Sequence, residues 1–534
     1  MNISKQLDIA PFHSDFANCL EECMITVSNF YQRNYILMYS QSWGFSFDTN
    51  NYLLNGTGSC INDDRGRIYD LYHSYHGIKM SFEHKNNPQE VVNVIIRHIM
   101  ADNPIGIFMD TFYYSWDPNK NQHGKHWFLV TGVDTEKEVF YCTDPYFMQK
   151  NAILEFKDFI NGYLGVLFIF EITKSEILDY DWKKLVLTSV KKLEGENGRK
   201  SIFYSMEDFA VSVENGFCIE KETSSSNRVI DMPYYVNLQS VNRGRLQYAR
   251  FLEYIASKYN VTELHSISEK LKQVSYKWDV LRGILTKAIL TKNEAIIKSK
   301  IPPHIREISN IEKETLNLLI KTVSDTSYNN NNISKNIKSV SNVAESINFN
   351  SYSYLDLSND FNNKGFGALL DETAKANLNG AGMFFVYDDI PSNEIWKVDN
   401  MKFKFPKVSE IQYDNISCSG QELEFTPTDC TNIMLLGTAD FGSFNESITV
   451  RFIDGSTEEV NIGFTELVFD PLYGETVAWE GRACERLDGK IQVHNSKVKI
   501  FAKTYELIKP GRIRGISLPY LPNMHIFAIT MVKS

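Results

Sequence analysis

A cysteine, a histidine and an aspartate in the first third of the chain have the residue types needed for covalent acyl chemistry. Cys19 opens a run of apolar residues at helical spacing, His126 borders an apolar stretch, and Asp144 stands directly before Pro145. A thiolate nucleophile, a base that holds it and a carboxylate that orients the base together make a nucleophilic catalyst. The three residues therefore predict a catalytic triad that forms a thioester with its substrate.

The elements that must position this triad follow from the hydrophobic pattern. Helices are predicted over residues 16–38, with Asp15 or Asn18 as the cap, and over residues 88–101. Cys19 then lies near the first helical turn, where the helix dipole and free N–H groups favour a thiolate and can bind an oxyanion. Strand patterns, punctuated by Asn, Asp, Gly and Pro, cover residues 105–110, 127–133, 139–143 and 166–172. This is an α+β arrangement.

Each of these residues also has an ordinary structural explanation. A lone cysteine is usually a small buried hydrophobe, and an Asp-Pro pair is a common turn. His123 competes with His126, which is preferred because it borders the apolar strand. A zinc site formed by Cys19, Cys23, His123 and His126 is a further alternative, but structural zinc sites favour tighter cysteine spacing on a turn. The joint occurrence favours the triad, and no metal is expected.

The rest of the chain divides by pattern. Residues 175–325 predict an all-α subdomain whose helices at 262–297 and 303–324 are separated by Pro302-Pro303. An Asn- and Ser-rich linker is expected over residues 326–350. The pattern of residues 351–534 indicates short alternating strands with a hairpin at Asp454-Gly455. It predicts an all-β jelly-roll sandwich.

Composition narrows the classes of function. The 534 residues are 43% hydrophobic and 23% charged, as in soluble multidomain proteins, and the net charge of −11 argues against nucleic acid as a partner. No apolar leader opens the chain and no apolar run is long enough to span a membrane, so a cytoplasmic protein is expected. The eight scattered cysteines are typical of free thiols in a reducing compartment.

Several segments resemble the butirosin-type family, papain-fold cysteine acyltransferases encoded beside nonribosomal peptide or carrier-protein pathways. The order of cysteine, histidine and acid is papain-like, and the likeness extends over about residues 10–325. The segments that carry it are Asn18-Cys19 with the helix that follows, 39–45, 104–116, His126 with 132–134, and Thr143-Asp144-Pro145. The resemblance implies a C39-peptidase-like cysteine domain with the triad Cys19, His126 and Asp144. It also implies that His13, where relatives usually carry glutamine, donates to the oxyanion, with Ser14 and Asn18 as alternatives.

The resemblance further implies the reaction and its partners. An acyl group would pass from the phosphopantetheine thioester of an acyl or peptidyl carrier protein to Cys19 and then to an amine, without another cofactor. Amide-forming enzymes of polythioamide assembly are the most similar group, which suggests a diamine acceptor. Asp110 would bind the far ammonium of the diamine, or alternatively would be a carboxylate whose hydrogen bonds come from the backbone. The aromatic side chains of three residues would line a tunnel for the acyl chain, or alternatively would pack in the core: Tyr113, Tyr114 and Trp116.

Two other functions fit the same sequence. A papain-like peptidase or thioesterase would use the same triad with water in place of the amine. A sugar-binding or scaffold protein would rely on the C-terminal sandwich, which resembles carbohydrate-binding jelly rolls. Docking, substrate capping or formation of a homo-oligomer through that sandwich is the expected role in an enzyme.

Overall fold

A computed structural model describes residues 2–117, 123–196, 198, 200–226, 228–324, 351–390, 394–409, 412–487 and 489–533. The linker predicted at 326–350 lies outside them. The described residues form two compact units, of which the first comprises residues 2–218, 230–278 and 304–324. The second comprises residues 219–229, 279–303 and 351–533. The helices after residue 174 therefore contribute to both units.

The helices of the described ranges have these bounds: α1 Cys19–Phe30, α2 Tyr52–Asn55, α3 Ile68–His76, α4 Pro88–Met100, α5 Phe156–Gly162, α6 Trp182–Glu194, α7 Ile202–Gly216, α8 Ile219–Thr223, α9 Pro233–Tyr259, α10 Thr262–Leu290 and α11 Glu294–Ser324. Short 3-10 turns lie at Ile36–Tyr39, Gly58–Cys60, Thr111–Tyr113, Val229–Asp231 and Tyr387–Asp389. Within these ranges, no helix is both long enough and apolar enough to cross a membrane.

The first unit is built on an antiparallel sheet. Its strands pair in the order β4-β9-β5-β6-β7-β8, with β1 beside β6, and β2 pairs separately with β3. The strands are β1 Ser4–Gln6, β2 Ser46–Phe47, β3 Ile61–Asn62, β4 Ile78–His84, β5 Ile105–Asp110, β6 Lys125–Asp134, β7 Val139–Asp144, β8 Gln149–Glu155 and β9 Tyr163–Ile172. This arrangement confirms the expected α+β class.

The core of this unit lies between the central strands and α4. Ile107 and Met109 of β5 and Phe128 of β6 are fully buried in one apolar cluster with Val91 and Ile95 of α4. Helix α4 begins where predicted because Asn87 caps it through the Gln89 amide and Pro88 occupies its first turn. The packed strands thus give β6 and β7 a fixed position.

A buried ion pair ties α9 to α11 within the first unit. Arg245 donates to both carboxylate oxygens of Glu312, at 2.9 and 3.1 Å, and neither side chain is exposed. The indole N–H groups of Trp43 and Trp278 donate to the same carboxylate at 2.7 and 2.9 Å. Since buried charges require such partners, this cluster fixes the helices to the segment that follows α1.

Two helix predictions were wrong in their bounds. The helix predicted over 16–38 is shorter, because α1 begins at Cys19 and ends at Phe30. Pro302 and Pro303 lie inside α11 and do not separate it from α10. The break falls instead at Lys292, whose φ of 53° ends α10, and the Asn293 amide donates back to the Ala288 carbonyl at 2.8 Å.

The C-terminal part of the second unit is all β. Its largest sheet has the order β10-β23-β16-β22-β17-β18, with β15 beside β23 and β19 beside β22. A smaller sheet has the order β11-β12-β20-β21, and β13 pairs with β14. The strands are β10 Ser351–Tyr354, β11 Phe366–Gly367, β12 Phe384–Val386, β13 Ile395–Val398, β14 Met401–Lys404, β15 Ile416–Ser419, β16 Glu422–Ala439, β17 Phe444–Phe452, β18 Thr457–Phe464, β19 Thr476–Gly481, β20 Ala483–Leu487, β21 Lys490–Val493, β22 Val498–Ser517 and β23 Tyr520–Lys533.

The predicted hairpin at Asp454-Gly455 is confirmed. It joins β17 to β18, and Gly455 has a φ of 85°, a conformation that favours glycine. The Asp454 carboxylate accepts from the Ser456 amide at 2.9 Å and so stabilises the turn.

Candidate active site

Cys19 is the first residue of α1, and a capping box fixes its position. The Asn18 side chain accepts from the Glu21 amide and the Glu21 carboxylate accepts from the Asn18 amide, both at 2.9 Å. Arg65 and Gln247 donate to Glu21 at 2.8 and 2.9 Å, so the cap is held from outside the helix as well. The Cys19 amide belongs to the helix's first turn, where N–H groups have no intrahelical partner. It is therefore suited to receive an oxyanion.

His126 and Asp144 come together because of the strand register. Val130 of β6 is paired with Cys142 of β7, and side chains two residues apart share a face of a strand. His126 and Asp144 consequently lie on the same face, and His126 Nε2 is 3.0 Å from each oxygen of the Asp144 carboxylate. The carboxylate is fully buried and the imidazole nearly so. Burial of this pair makes the contact strong and excludes competing water.

The hydrogen-bond partners of His126 orient its ring. Nε2 is occupied by Asp144, so Nδ1 is the nitrogen that remains available to Cys19, whose charge acts on the ring. Burial would lower the pKa of His126, but the hydrogen bonds and charges of Asp144 and Cys19 outweigh it and raise the pKa to about 10. His126 is therefore an imidazolium at neutral pH. A cation of this kind beside a cysteine stabilises the thiolate, which is the nucleophilic form.

Trp116 holds the acid of the triad. Its indole N–H donates to Asp144 Oδ2 at 2.9 Å. Tyr146 and Phe147 follow Asp144 closely and lie against the imidazole, with ring centroids 5.6 and 5.3 Å away. Tyr146 and Phe147 were not predicted, although their place beside the Asp-Pro turn is a signal that could have identified them. These aromatic rings shield the histidine–carboxylate pair.

His13 lies beside α1 and pairs with a residue that sequence reasoning missed. His13 Nδ1 is 2.8 Å from Glu22 Oε1, and the Ser14 amide donates to the same oxygen at 3.0 Å. Glu22 is three residues after Cys19 and therefore on the same side of the helix, a signal that the spacing contained. Burial raises the pKa of the Glu22 carboxyl, against the lowering effects of Ser14 and His13. The role of His13 as an oxyanion donor stays a prediction.

Asp110 is placed away from the triad, contrary to the expectation that it holds a substrate ammonium. In the β5–β6 register Met109 opposes His126, whereas Asp110 opposes Lys125 and so faces the other side of the sheet. Its carboxylate accepts from the amides of Phe112 and Gly124 and contacts His123 Nδ1 at 2.7 Å. These bonds outweigh burial and lower the pKa of Asp110. The structure therefore favours the alternative, in which backbone N–H groups donate hydrogen bonds to the Asp110 carboxylate.

The three aromatic residues proposed as an acyl wall have different positions. Tyr114 is 5% exposed and belongs to the core, with its ring 5.2 Å from that of Phe128. Trp116 packs on Tyr114, and its indole N–H donates a hydrogen bond to Asp144. Tyr113 is half-buried against Phe112 in the 3-10 turn. The core alternative therefore applies to Tyr114, because its side chain is almost wholly buried in that cluster.

Cys23 and His123, the competitors of the triad residues, have other partners. Cys23 is buried, its thiol donates to the Trp127 carbonyl at 3.8 Å, and burial raises its pKa. His123 is exposed and pairs with Asp110. The four residues of the alternative zinc site thus do not converge. Within the part of the chain that the structure describes, no group of three or more His, Cys, Asp or Glu side chains is arranged to bind a metal.

Comparisons with known proteins agree with this architecture. The N-terminal domain is a C39-like, papain-fold peptidase domain, which continues through a helical region into an all-β sandwich. Residues 20–166, which include His126 and Asp144, match the model of the Peptidase C39-like family. Residues 351–534 match the model of the AziU2-like beta-sandwich domain. Each match covers less than half of the chain, and together they indicate a cysteine enzyme.

The similar solved structures include one that matches a small part of the chain. It is described as a C39-like peptidase from Bacillus anthracis, with 15% sequence identity and a TM-score of 0.16. The likeness covers 20% of this chain and 60% of that protein, so the chain spans less than two thirds of it. No curated protein matches the chain.

Proposed function

We propose that this protein is a cysteine-dependent acyltransferase of natural-product biosynthesis that forms an amide. The observation that supports it most is the geometry of the site: Cys19 starts a helix, and its charge acts on a buried histidine that is hydrogen-bonded to Asp144. A carrier protein would deliver the acyl group as a phosphopantetheine thioester. An amine would receive it.

The proposed reaction has two half-reactions. In the first, the Cys19 thiolate attacks the thioester carbonyl, and the pantetheine thiol leaves with the proton of His126. The product is an acyl-Cys19 thioester beside a neutral imidazole. In the second, the neutral amine attacks this carbonyl, His126 takes one proton from the nitrogen, and the Cys19 thiolate leaves. The amide is released and the original ion pair is restored.

The proposed acyl donor and amine acceptor are supported by the family resemblance. The resemblance to butirosin-type enzymes supports a carrier-protein donor, and the likeness to the amide-forming enzyme of closthioamide assembly supports a diamine acceptor. A thioester is already activated, so transfer to Cys19 needs no further energy source. The C-terminal sandwich would dock or cap the substrate or join two copies.

Hydrolysis is the second candidate function. It is favoured by the match of residues 20–166 to a peptidase family. The same acyl-Cys19 would form, and water would take the place of the amine. The two functions differ only in which nucleophile reaches the thioester, so one experiment with two acceptors distinguishes them.

The test is intact-protein mass spectrometry of the full chain with octanoyl-phosphopantetheine. We expect one octanoyl adduct, located on Cys19 by peptide mapping and absent in Cys19→Ala. Cys23→Ala, a change on the same helix at a buried cysteine, is the matched control and should retain the adduct. Addition of 1,3-diaminopropane should then yield octanoyl amide. Turnover by Cys19→Ala, or octanoic acid as the sole product at saturating amine, would contradict the proposal.

A further inference from the structure

A second histidine–carboxylate pair lies next to the triad. His13 is half-exposed, whereas the Glu22 side chain with which it pairs has no exposed area. Among the described residues, Glu22 Oε1 accepts from the Ser14 amide and pairs with His13, while Oε2 has no hydrogen-bond partner. A buried carboxylate that pairs with an imidazole resembles the Asp144–His126 pair, except that the His13 ring is accessible to solvent.

The contacts of Glu22 decide which nitrogen of His13 carries the proton. In its carboxylate form Glu22 can only accept, so Oε1 accepts from both the Ser14 N–H and the Nδ1–H of His13. In neutral His13, Nε2 then presents a lone pair to solvent. An imidazole in this tautomer is a base at Nε2 and donates there only after it has gained a proton. The pair is therefore built to accept a proton.

The pair is close to the reacting atoms. The Tyr146 ring lies edge-on to both histidines, with centroids 5.8 Å from His13 and 5.6 Å from His126. The charge of Asp144 acts on Glu22, and those of Cys19 and Glu22 act on Tyr146. Among the described residues, the charged or titratable groups that act on the pair or on Tyr146 include Asp144, Cys19, the buried Cys23, Arg243 and Asp117. His13 and His126 thus both contact the Tyr146 ring, on which the charge of Cys19 acts.

Amide formation needs two protons removed when the acceptor is an alkylamine. Such an amine arrives as an ammonium ion and must lose one proton before it can attack. A second proton leaves the nitrogen once the new C–N bond forms. His126 is neutral after acylation and takes this second proton, so the first must pass to solvent or to another base at the site.

We propose that His13, positioned by Glu22, is the base that removes the first proton from an ammonium acceptor. The ammonium N–H bond breaks, its proton goes to His13 Nε2, and the nitrogen lone pair becomes free to attack acyl-Cys19. The imidazolium of His13 is stabilised by Glu22 and returns its proton to solvent. This inference rests on the proposed function, and His13 would be a catalytic residue with Glu22 as its positioning residue.

The experiment measures the two half-reactions of the full-length protein separately. Octanoyl-phosphopantetheine first acylates Cys19, and the rate is followed by quenched mass spectrometry. Octanoyl-Cys19 is then released with 1,3-diaminopropane, which is charged at neutral pH, or with methoxyamine, which is neutral. The variants are His13→Asn and Glu22→Gln. His123→Asn, which changes the exposed histidine paired with Asp110, is the matched control.

We expect His13→Asn to slow release by 1,3-diaminopropane on the order of a hundredfold, which is typical of a lost general base. Acylation and release by methoxyamine should stay within about threefold of wild type, since neither needs that base. Glu22→Gln should have the same pattern with a smaller loss. The loss of release rate in His13→Asn with 1,3-diaminopropane should disappear as pH rises, because the fraction of free amine grows. His123→Asn should behave as wild type.

Equal slowing of acylation and of both releases would overturn the inference and assign His13 to the oxyanion. Unchanged rates in both variants would overturn it as well. Failure of the wild type to form octanoyl-Cys19 or any amide would instead refute the proposed function, so the two failures are distinct. If His13→Asn does not give the wild-type circular dichroism spectrum, His13→Gln replaces it.

Discussion

Asp144→Asn is expected to discharge His126 at neutral pH. The rise in the pKa of His126 from 6.5 to about 10 corresponds to roughly 5 kcal/mol in favour of the imidazolium. Asparagine keeps the size of the side chain but removes the charge of Asp144, so only Cys19 still opposes the effect of burial and the pKa of His126 should fall. Breaking a buried charged pair by removing one partner costs about 3–5 kcal/mol, or roughly a hundredfold to a few thousandfold in an equilibrium. The acylation rate of Cys19 should fall by a similar factor.

The assay is a pH titration of the imidazole nitrogens by 15N NMR, together with the acylation rate. The wild-type ring should keep its proton up to about pH 10, whereas the ring in Asp144→Asn should be neutral at pH 7. Asp110→Asn, which removes a carboxylate from the exposed pair with His123, is the matched control and should leave both measurements unchanged.

The same pair also predicts how stability depends on pH. Because the folded pKa of His126 lies above its ordinary value of 6.5, the stabilisation is complete below pH 6.5 and is lost as pH rises through about 10. The difference in unfolding free energy between wild type and Asp144→Asn should therefore shrink between these two pH values. A wild-type titration in Asp144→Asn, or an ordinary histidine titration in the wild type, would refute the assignment of the ion pair.

Three further changes probe the supports of the site and of the fold. Trp116→Phe removes the indole donor to the buried triad acid and should cost about 1.5–3 kcal/mol in acylation, with the secondary structure intact, measured as the acylation rate. Glu312→Ala leaves a buried guanidinium and two indoles without their acceptor and should lower the unfolding free energy by about 3–5 kcal/mol in urea, against less than about 1 kcal/mol for exposed Glu207→Ala. Gly106→Ala makes the new Cβ clash with the Phe168 ring and should cost about 1–3 kcal/mol in the same assay, and an unchanged midpoint would contradict the tight packing of β5 against β9.

Local signals were sufficient for most elements of the first unit. The Asn87-Pro88 pair marks the start of α4, and β5 was predicted with its observed bounds because turn residues bracket a buried apolar run. Asn18 and Glu21 stand three residues apart in a capping box, so the start of α1 at Cys19 was within reach of the sequence. The end of α1 was not, because hydrophobic periodicity continues past Phe30 into a separate 3-10 turn.

Local rules failed where tertiary packing decides. Two prolines predict a helix break at 302–303, but the break lies where Lys292 adopts a left-handed conformation. Asp110 was predicted to hold the far ammonium of a diamine acceptor. Its register beside Lys125 turns it to the other face of the sheet, and a one-residue difference in register has this effect in any strand.

The sequence by itself determined the types and order of Cys19, His126 and Asp144 and the helix and strands that carry them. Periodicity and capping are properties of neighbouring residues, so they can be read without a fold. The tertiary structure alone decided that Trp116 donates a hydrogen bond to Asp144 and that Glu22 pairs with His13. These contacts join residues that are far apart in the chain or on separate segments, and only the packing of α1 and the sheet brings them within hydrogen-bonding distance.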